Sequence, residues 1–150
     1  MKYQYIAIFA GLVILLSAFY LTQPTDNVNK NNIQLGSCTF TLERPHTTDE
    51  YAKGLSDREA IAPQAGMWFA YSSPQLPTFW MKGLRFPIDI IWIANRKVVG
   101  LNENIPADDG ASLYIPTIAI DAALEIAAGR SKECGIQMES VVELPRLSKI

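Results

Sequence analysis

Four charged residues, Arg58, Lys82, Asp89 and Glu125, stand inside otherwise apolar stretches of this chain. Burying an unpaired ammonium or carboxylate is costly even after relaxation, so each must be paired, hydrogen-bonded or turned toward a wet cleft. Two arrangements satisfy that demand. Gathered around one open cleft, two carboxylates and two bases could bind a small polar ligand such as a sugar or a carboxylate. The same cluster could also work as a hydrolase or lyase through Asp89 or Glu125 with Lys82, if burial shifted their proton affinities. The other arrangement pairs Lys82 and Asp89 with Arg58 and Glu125 in sealed ion pairs that fix the register of the fold, and this is the one we expect.

Trp68, Trp80 and Trp92 recur at equal spacing, a pattern open to a sugar-stacking platform but expected as core aromatics of strands. Trp80 and Tyr114 are the aromatic candidates for the rim of a ligand site. His46 is the single histidine and has no neighbours that would complete a metal set. Asn102, Glu103, Asp108 and Asp109 carry oxygens that suit calcium, but they read as a solvated acidic loop. No Ser-His-Asp order, Gly-x-Ser-x-Gly turn or phosphate-cradling glycine loop occurs, so neither a metal nor a cofactor is expected.

Elements that would position these residues follow from apolar spacing. Cys38, Phe40 and Leu42 alternate with Thr39, Thr41 and Glu43, which predicts a strand over 37–44. Thr47 and Glu50 form a capping-box pattern that opens a short helix ending at Gly54, and an ordered loop follows over 55–65. Strands are expected over 66–71, 78–82, 88–94 and 97–105, with a turn at 72–75 and a tight Asn95-Arg96 reversal. Val98-Val99 breaks the alternation, as burial on both faces or a bulge would. A short edge strand is expected at 114–117 and a last strand at 141–144. A second helix is predicted over 122–128, capped by Asp121 and stopped by Gly129. The fold class is mainly β, a compact β-barrel or jelly-roll-like sandwich with two short helices.

From Tyr5 to Leu21 runs a stretch of 17 residues without a charge, preceded by Lys2. A span needs about 20 apolar residues, with about 17 as the lower limit, so residues 1–22 read as a transmembrane anchor. A cleaved signal peptide is the alternative, although the Ser17-Ala18 boundary places Leu16 where a small residue is wanted. Residues 23–32 read as a polar linker and 33–150 as an exported domain, single-pass with its C-terminal part outside, or secreted if the leader is cut. Leu35-Gly36-Ser37-Cys38 looks like a lipidation box but lies too far beyond Leu21. A net charge of −2 with no basic run argues against nucleic acid and leaves a small polar ligand or an envelope component as partner, with the membrane contacted through residues 5–21. Cys38 and Cys134 are the only cysteines, and a disulfide between them is the natural reading in an exported domain, with two buried thiols as the alternative.

Gly54-Leu55-Ser56-Asp57-Arg58, Gly66-Met67-Trp68-Phe69, Phe79-Trp80-Met81-Lys82, Pro87-Ile88-Asp89-Ile90 and the run from Ala123 to Gly129 come in an order and spacing that resembles the domain of unknown function numbered 192. The likeness covers about residues 37 to 144. It implies a compact β-barrel or jelly-roll-like domain, often behind a signal peptide or anchor, with no assigned reaction and no catalytic residues to carry over. Three departures accompany it. Gly83 stands where asparagine is usual, Ser56-Asp57 replaces a more apolar pair, and Gln137 to Ser140 lacks the usual glycine-aspartate.

Overall fold

The computed structural model describes residues 31–107 and 111–143. The expected anchor over 1–22 and nearly all of the 23–32 linker lie outside the described residues. Among the described residues no helix is long and apolar enough to cross a membrane.

The chain opens with a hairpin. Strand β1 (Asn32–Leu35) turns through Gly36-Ser37 into β2 (Cys38–Glu43), with Leu35 opposite Cys38. Gly36 is required there, because its φ of 61° is left-handed and a Cβ would collide with the Cys134 carbonyl oxygen. Strand β3 (Ala65–Gln75) runs parallel to β2, and parallel neighbours need a crossover between them. Helix α1 (Thr48–Lys53) supplies part of that crossover. Its capping box forms as expected, with Thr47 accepting from the Glu50 amide while the Glu50 carboxylate receives the Thr47 amide.

Strands β5 (Ile88–Ala94) and β6 (Lys97–Ile105) make the expected hairpin, and Asn95 and Arg96 both take positive φ, as a tight primed turn demands. Ile93 pairs with Val98 and Trp92 with Gly100, so Val99 is the extra residue of a bulge. The central sheet has the order β1-β2-β3-β8-β5-β6, and β4 (Phe79–Trp80) pairs with β7 (Leu113–Tyr114) in a separate ribbon. Both ribbon strands are shorter than expected, and 72–75 belongs to β3 rather than to a turn.

The main correction concerns residues 122–128. They form most of β8 (Ile120–Ala127), the strand between β3 and β5, and not a helix. The second helix is α2 (Arg130–Glu133), one turn further on. A central strand covered on both faces has no polar alternation to reveal it, and its Ala-rich run mimics a helical stripe.

The sheet is a curled half-barrel, neither a closed barrel nor a jelly roll. Its two edges meet one extended segment instead. Gln34 on β1 exchanges backbone hydrogen bonds with Glu143 at 2.9 and 3.0 Å, while the Val142 amide donates to the Arg96 carbonyl and the Val98 amide to Ser140. The concave face holds Ile33, Leu35, Phe40, Leu42, Ile91, Leu124 and Val142 with Trp68. The convex face holds Leu55, Met67, Phe69, Phe79, Met81, Ile90 and Trp92, covered by the α1 crossover and the segment before β5. Trp68 and Trp92 are therefore core, as expected. Cys38 and Cys134 are joined in a disulfide that fastens the first hairpin to the end of α2.

Candidate functional site

Strand parity decides which charges can meet. Glu125 lies opposite Met67 on one side and Ile90 on the other, so its side chain emerges on the convex face. Asp89 lies opposite Ile126 and shares the concave parity of Ile91 and Ile93. Neighbouring side chains on a strand alternate faces, so the sheet itself separates Asp89 from Glu125. The expected four-residue cluster does not form, nor do the expected pairs.

Asp89 is fully buried and saturated. One oxygen accepts the Asn104 amide at 2.7 Å and the Gly129 amide at 3.1 Å; the other accepts the Ser131 amide at 2.9 Å and lies 2.6 Å from the Ser131 hydroxyl. It thereby caps the first turn of α2 from a neighbouring strand, where helix amides lack internal partners. Its role is structural. Arg58 makes a two-pronged pair with Glu43, at 2.9 and 2.8 Å, a partner that sequence reasoning passed over because Glu43 read as a solvent-facing strand residue. That bond holds the Glu43 carboxyl below its usual range and raises Arg58. Lys82 is exposed and belongs to none of the ion pairs found among the described residues.

Arg58 lines a groove with Glu43, Arg44 and His46, and Glu125 faces a neighbouring one. This depression of about 260 Å³ lies between α1, the loop after it and the segment leading into β4. Tyr51, Phe69, Tyr71, Phe79 and Trp80 contribute its aromatic lining, and Gly54 and Ser56 its backbone side. The rings are set edge to face in series: Tyr51 on Phe69 at 5.8 Å, Phe69 on Phe79 at 5.0 Å and Phe79 on Trp92 at 5.2 Å. Tyr51 is anchored by its hydroxyl, which donates to the Ala70 carbonyl at 2.7 Å. Trp80 stands at the rim, 40% exposed, whereas Tyr114 pairs with Phe79 in the ribbon and does not line the groove.

Glu125 is 3% exposed, and its Oε2 is buried without a hydrogen-bond partner. Burial pushes its carboxyl up to about 8, against a smaller opposing pull from Arg58. Tyr71 is raised too, by burial first and then by Tyr51 and Glu125. Gly54 closes this side of the site: its φ of 50° favours glycine, and a Cβ there would make only ordinary contact, at 3.5 Å, with Oε2 and the Phe69 ring. Sequence reasoning found Glu125 and Trp80, read Gly54 only as the end of the helix, and gave Tyr51 and Tyr71 no role.

Gly83 and Ser56-Asp57, two of the departures noted above, touch each other. The Asp57 amide donates to the Gly83 carbonyl at 2.9 Å, and the Ser56 hydroxyl to the Lys82 carbonyl at 2.7 Å. With φ at 78°, Gly83 leaves room for the Ser56 side chain. Two of the residues considered for calcium have protein partners: Asn102 accepts the Trp92 indole N–H at 2.8 Å, and Glu103 lies 2.7 Å from the Ser131 hydroxyl. Asp108 and Asp109 lie outside the described residues. No group of three metal-ligating side chains occurs among the described residues.

A family model for DUF192, described as an uncharacterized ACR, matches residues 30–144. A crystal structure of a protein of unknown function from Novosphingobium aromaticivorans DSM 12444 is similar, with a TM-score of 0.69 and 28% identity over 81% of this chain and 89% of that one. A candidate transcription regulator from Sinorhizobium meliloti 1021 also superposes with a TM-score of 0.69, at 24% identity over 75% of this chain and 91% of that one, a likeness of fold alone. No curated protein matches.

Proposed function

Because the chain belongs to the uncharacterised DUF192 family, whose name assigns no chemistry, we propose from its own residues that it is a binding module. In this reading the domain is exported, tethered to the membrane through residues 5–21, and takes a small polar ligand from the envelope into the aromatic groove. One observation carries the proposal: a buried carboxyl without a hydrogen-bond donor at Oε2 forms part of the groove wall. An unsatisfied buried acceptor costs about 1–3 kcal/mol, and a ligand donor recovers it. The volume of about 260 Å³ falls just below the roughly 300–1,000 Å³ of drug-sized sites, which suits a small molecule or a single side chain.

Binding fits better than catalysis. The hydrolase or lyase reading needs Asp89 or Glu125 beside Lys82, but Asp89 is sealed on the opposite face and Lys82 does not line the groove that Glu125 faces. The test is a screen of envelope glycans and small metabolites against the full-length chain in nonionic detergent, read from Trp80 resonances. Saturable shifts that disappear on Glu125→Gln are expected. A complete absence of response would leave a structural or protein-binding role. The tether is tested separately, by protease accessibility of the domain in intact cells and by carbonate extraction of membranes.

A further inference from the structure

The groove offers one carboxyl and no free counter-charge. Arg58, the nearest guanidinium, is already held by Glu43 through both of its terminal nitrogens. Lys53, on the groove wall, pairs with Asp57 at 3.4 Å. Tyr51 and Tyr71 also line the site, and a phenol supplies no positive charge. An anionic ligand would therefore find no free positive partner. A neutral donor can meet the protonated carboxyl, whereas a cation can also balance the ionised one. Aromatic rings attract cations electrostatically, most strongly where water is excluded, and a charge-assisted hydrogen bond to a carboxylate is about twice as strong as a neutral one.

Resting on the binding reading above, we infer that the groove takes a small organic cation bearing N–H donors, an alkylammonium group whose nitrogen satisfies Glu125 Oε2 and whose carbon chain lies along Tyr51, Phe69 and Phe79. Donor capacity separates this ligand from a quaternary ammonium, which has the charge but cannot give a hydrogen bond to the unpartnered oxygen. Binding must then be linked to a proton. A cation that selects the ionised carboxylate displaces the proton held there, so affinity rises with pH until Glu125 is already ionised in the free protein. With that carboxyl at about 8, affinity should gain roughly 50-fold between pH 6 and pH 8, about twofold more by pH 9, and then level off.

The experiment titrates the full-length chain, in nonionic detergent, with n-butylammonium chloride and with its neutral counterpart n-butanol at pH 6, 7, 8 and 9. Isothermal calorimetry in two buffers of different ionisation enthalpy reports proton release, and Trp80 resonances report location. An alkylamine stays charged over this range, like lysine with its pKa near 10.4. Expected are saturable butylammonium binding that tightens with pH, close to one proton released at pH 7, and loss of that binding in Glu125→Gln. Saturable butanol binding that equals butylammonium, or that weakens as pH rises, overturns the cation while leaving the groove as a site. Silence toward both probes at pH 9 overturns the cation inference, and silence in the wider screen as well overturns the binding reading. The pH profile of the unmodified chain tests the inference even if Glu125→Gln proves misfolded.

Discussion

Replacing Glu125 with glutamine keeps the shape of the side chain and removes its charge. A carboxyl whose folded pKa is raised holds its proton more tightly in the folded chain. Its contribution to stability is therefore fully present below the unfolded value of 4.5, declines as pH rises, and is lost above the folded value of about 8. Each pH unit in that window is worth about 1.36 kcal/mol. The whole interval then amounts to on the order of 5 kcal/mol, and the part lost by pH 7 to about 3. These figures are ceilings, because any water admitted to the groove screens the charge. The glutamine protein should match the parent near pH 4.5 and exceed it by a few kcal/mol at pH 8.5. Urea unfolding of both proteins, followed by tryptophan fluorescence at intervals from pH 4.5 to 9, measures the difference with other titrations cancelled. A difference that stays flat across the window would refute the claim that Glu125 is desolvated and uncompensated.

Three further outcomes follow from the geometry. Asp89→Ala strips the acceptor from three backbone amides and from the Ser131 hydroxyl, and should cost about 3–5 kcal/mol in urea unfolding, with Asp89→Asn costing less; a loss below about 1 kcal/mol would contradict its capping role. Gly36→Ala meets both a left-handed φ and the Cys134 carbonyl, so it should lower the melting temperature and destabilise by more than the about 0.4–1 kcal/mol that an unstrained Gly→Ala change gains. Converting Cys38 and Cys134 to serine together opens a loop with a sequence separation of 96, and the chain-entropy estimate is about 4–5 kcal/mol; reducing agent should bring the parent to the same melting temperature as the double variant.

What the sequence disclosed depended on how each residue meets water. Strands with one wet face, such as β2, announced themselves by alternation, and the Asn95-Arg96 reversal and the Val99 bulge were visible as local breaks in it. The capping box needed only its own four residues. Strand β8 was hidden because both of its faces are covered, so Leu124 and Ile126 serve one core while Ala123 serves the other. The site was half visible. Charges within apolar sequence marked Glu125 and Asp89 correctly as residues under constraint, but whether they face each other depends on a register between β5 and β8 that joins distant segments. The same dependence concealed Glu43 as the partner of Arg58, since the loop that returns Arg58 to the end of β2 has no periodicity to read.

The segment from Ser140 to Glu143 has a consequence for how the chain behaves before it is finished. Until that segment docks, both β1 and β6 present unpaired backbone, and two open edges on one curled sheet are templates for pairing with other molecules. Removing it should yield a species that adds copies of itself head to tail, since β1 of one molecule and β6 of the next would seek the partner each has lost. Oxidation of Cys38 and Cys134 opposes this outcome by holding the start of the segment beside the first hairpin, so that closure within one molecule outpaces capture by another. The disulfide would then matter most during folding, as a guard against polymerisation in the interval before the last residues arrive.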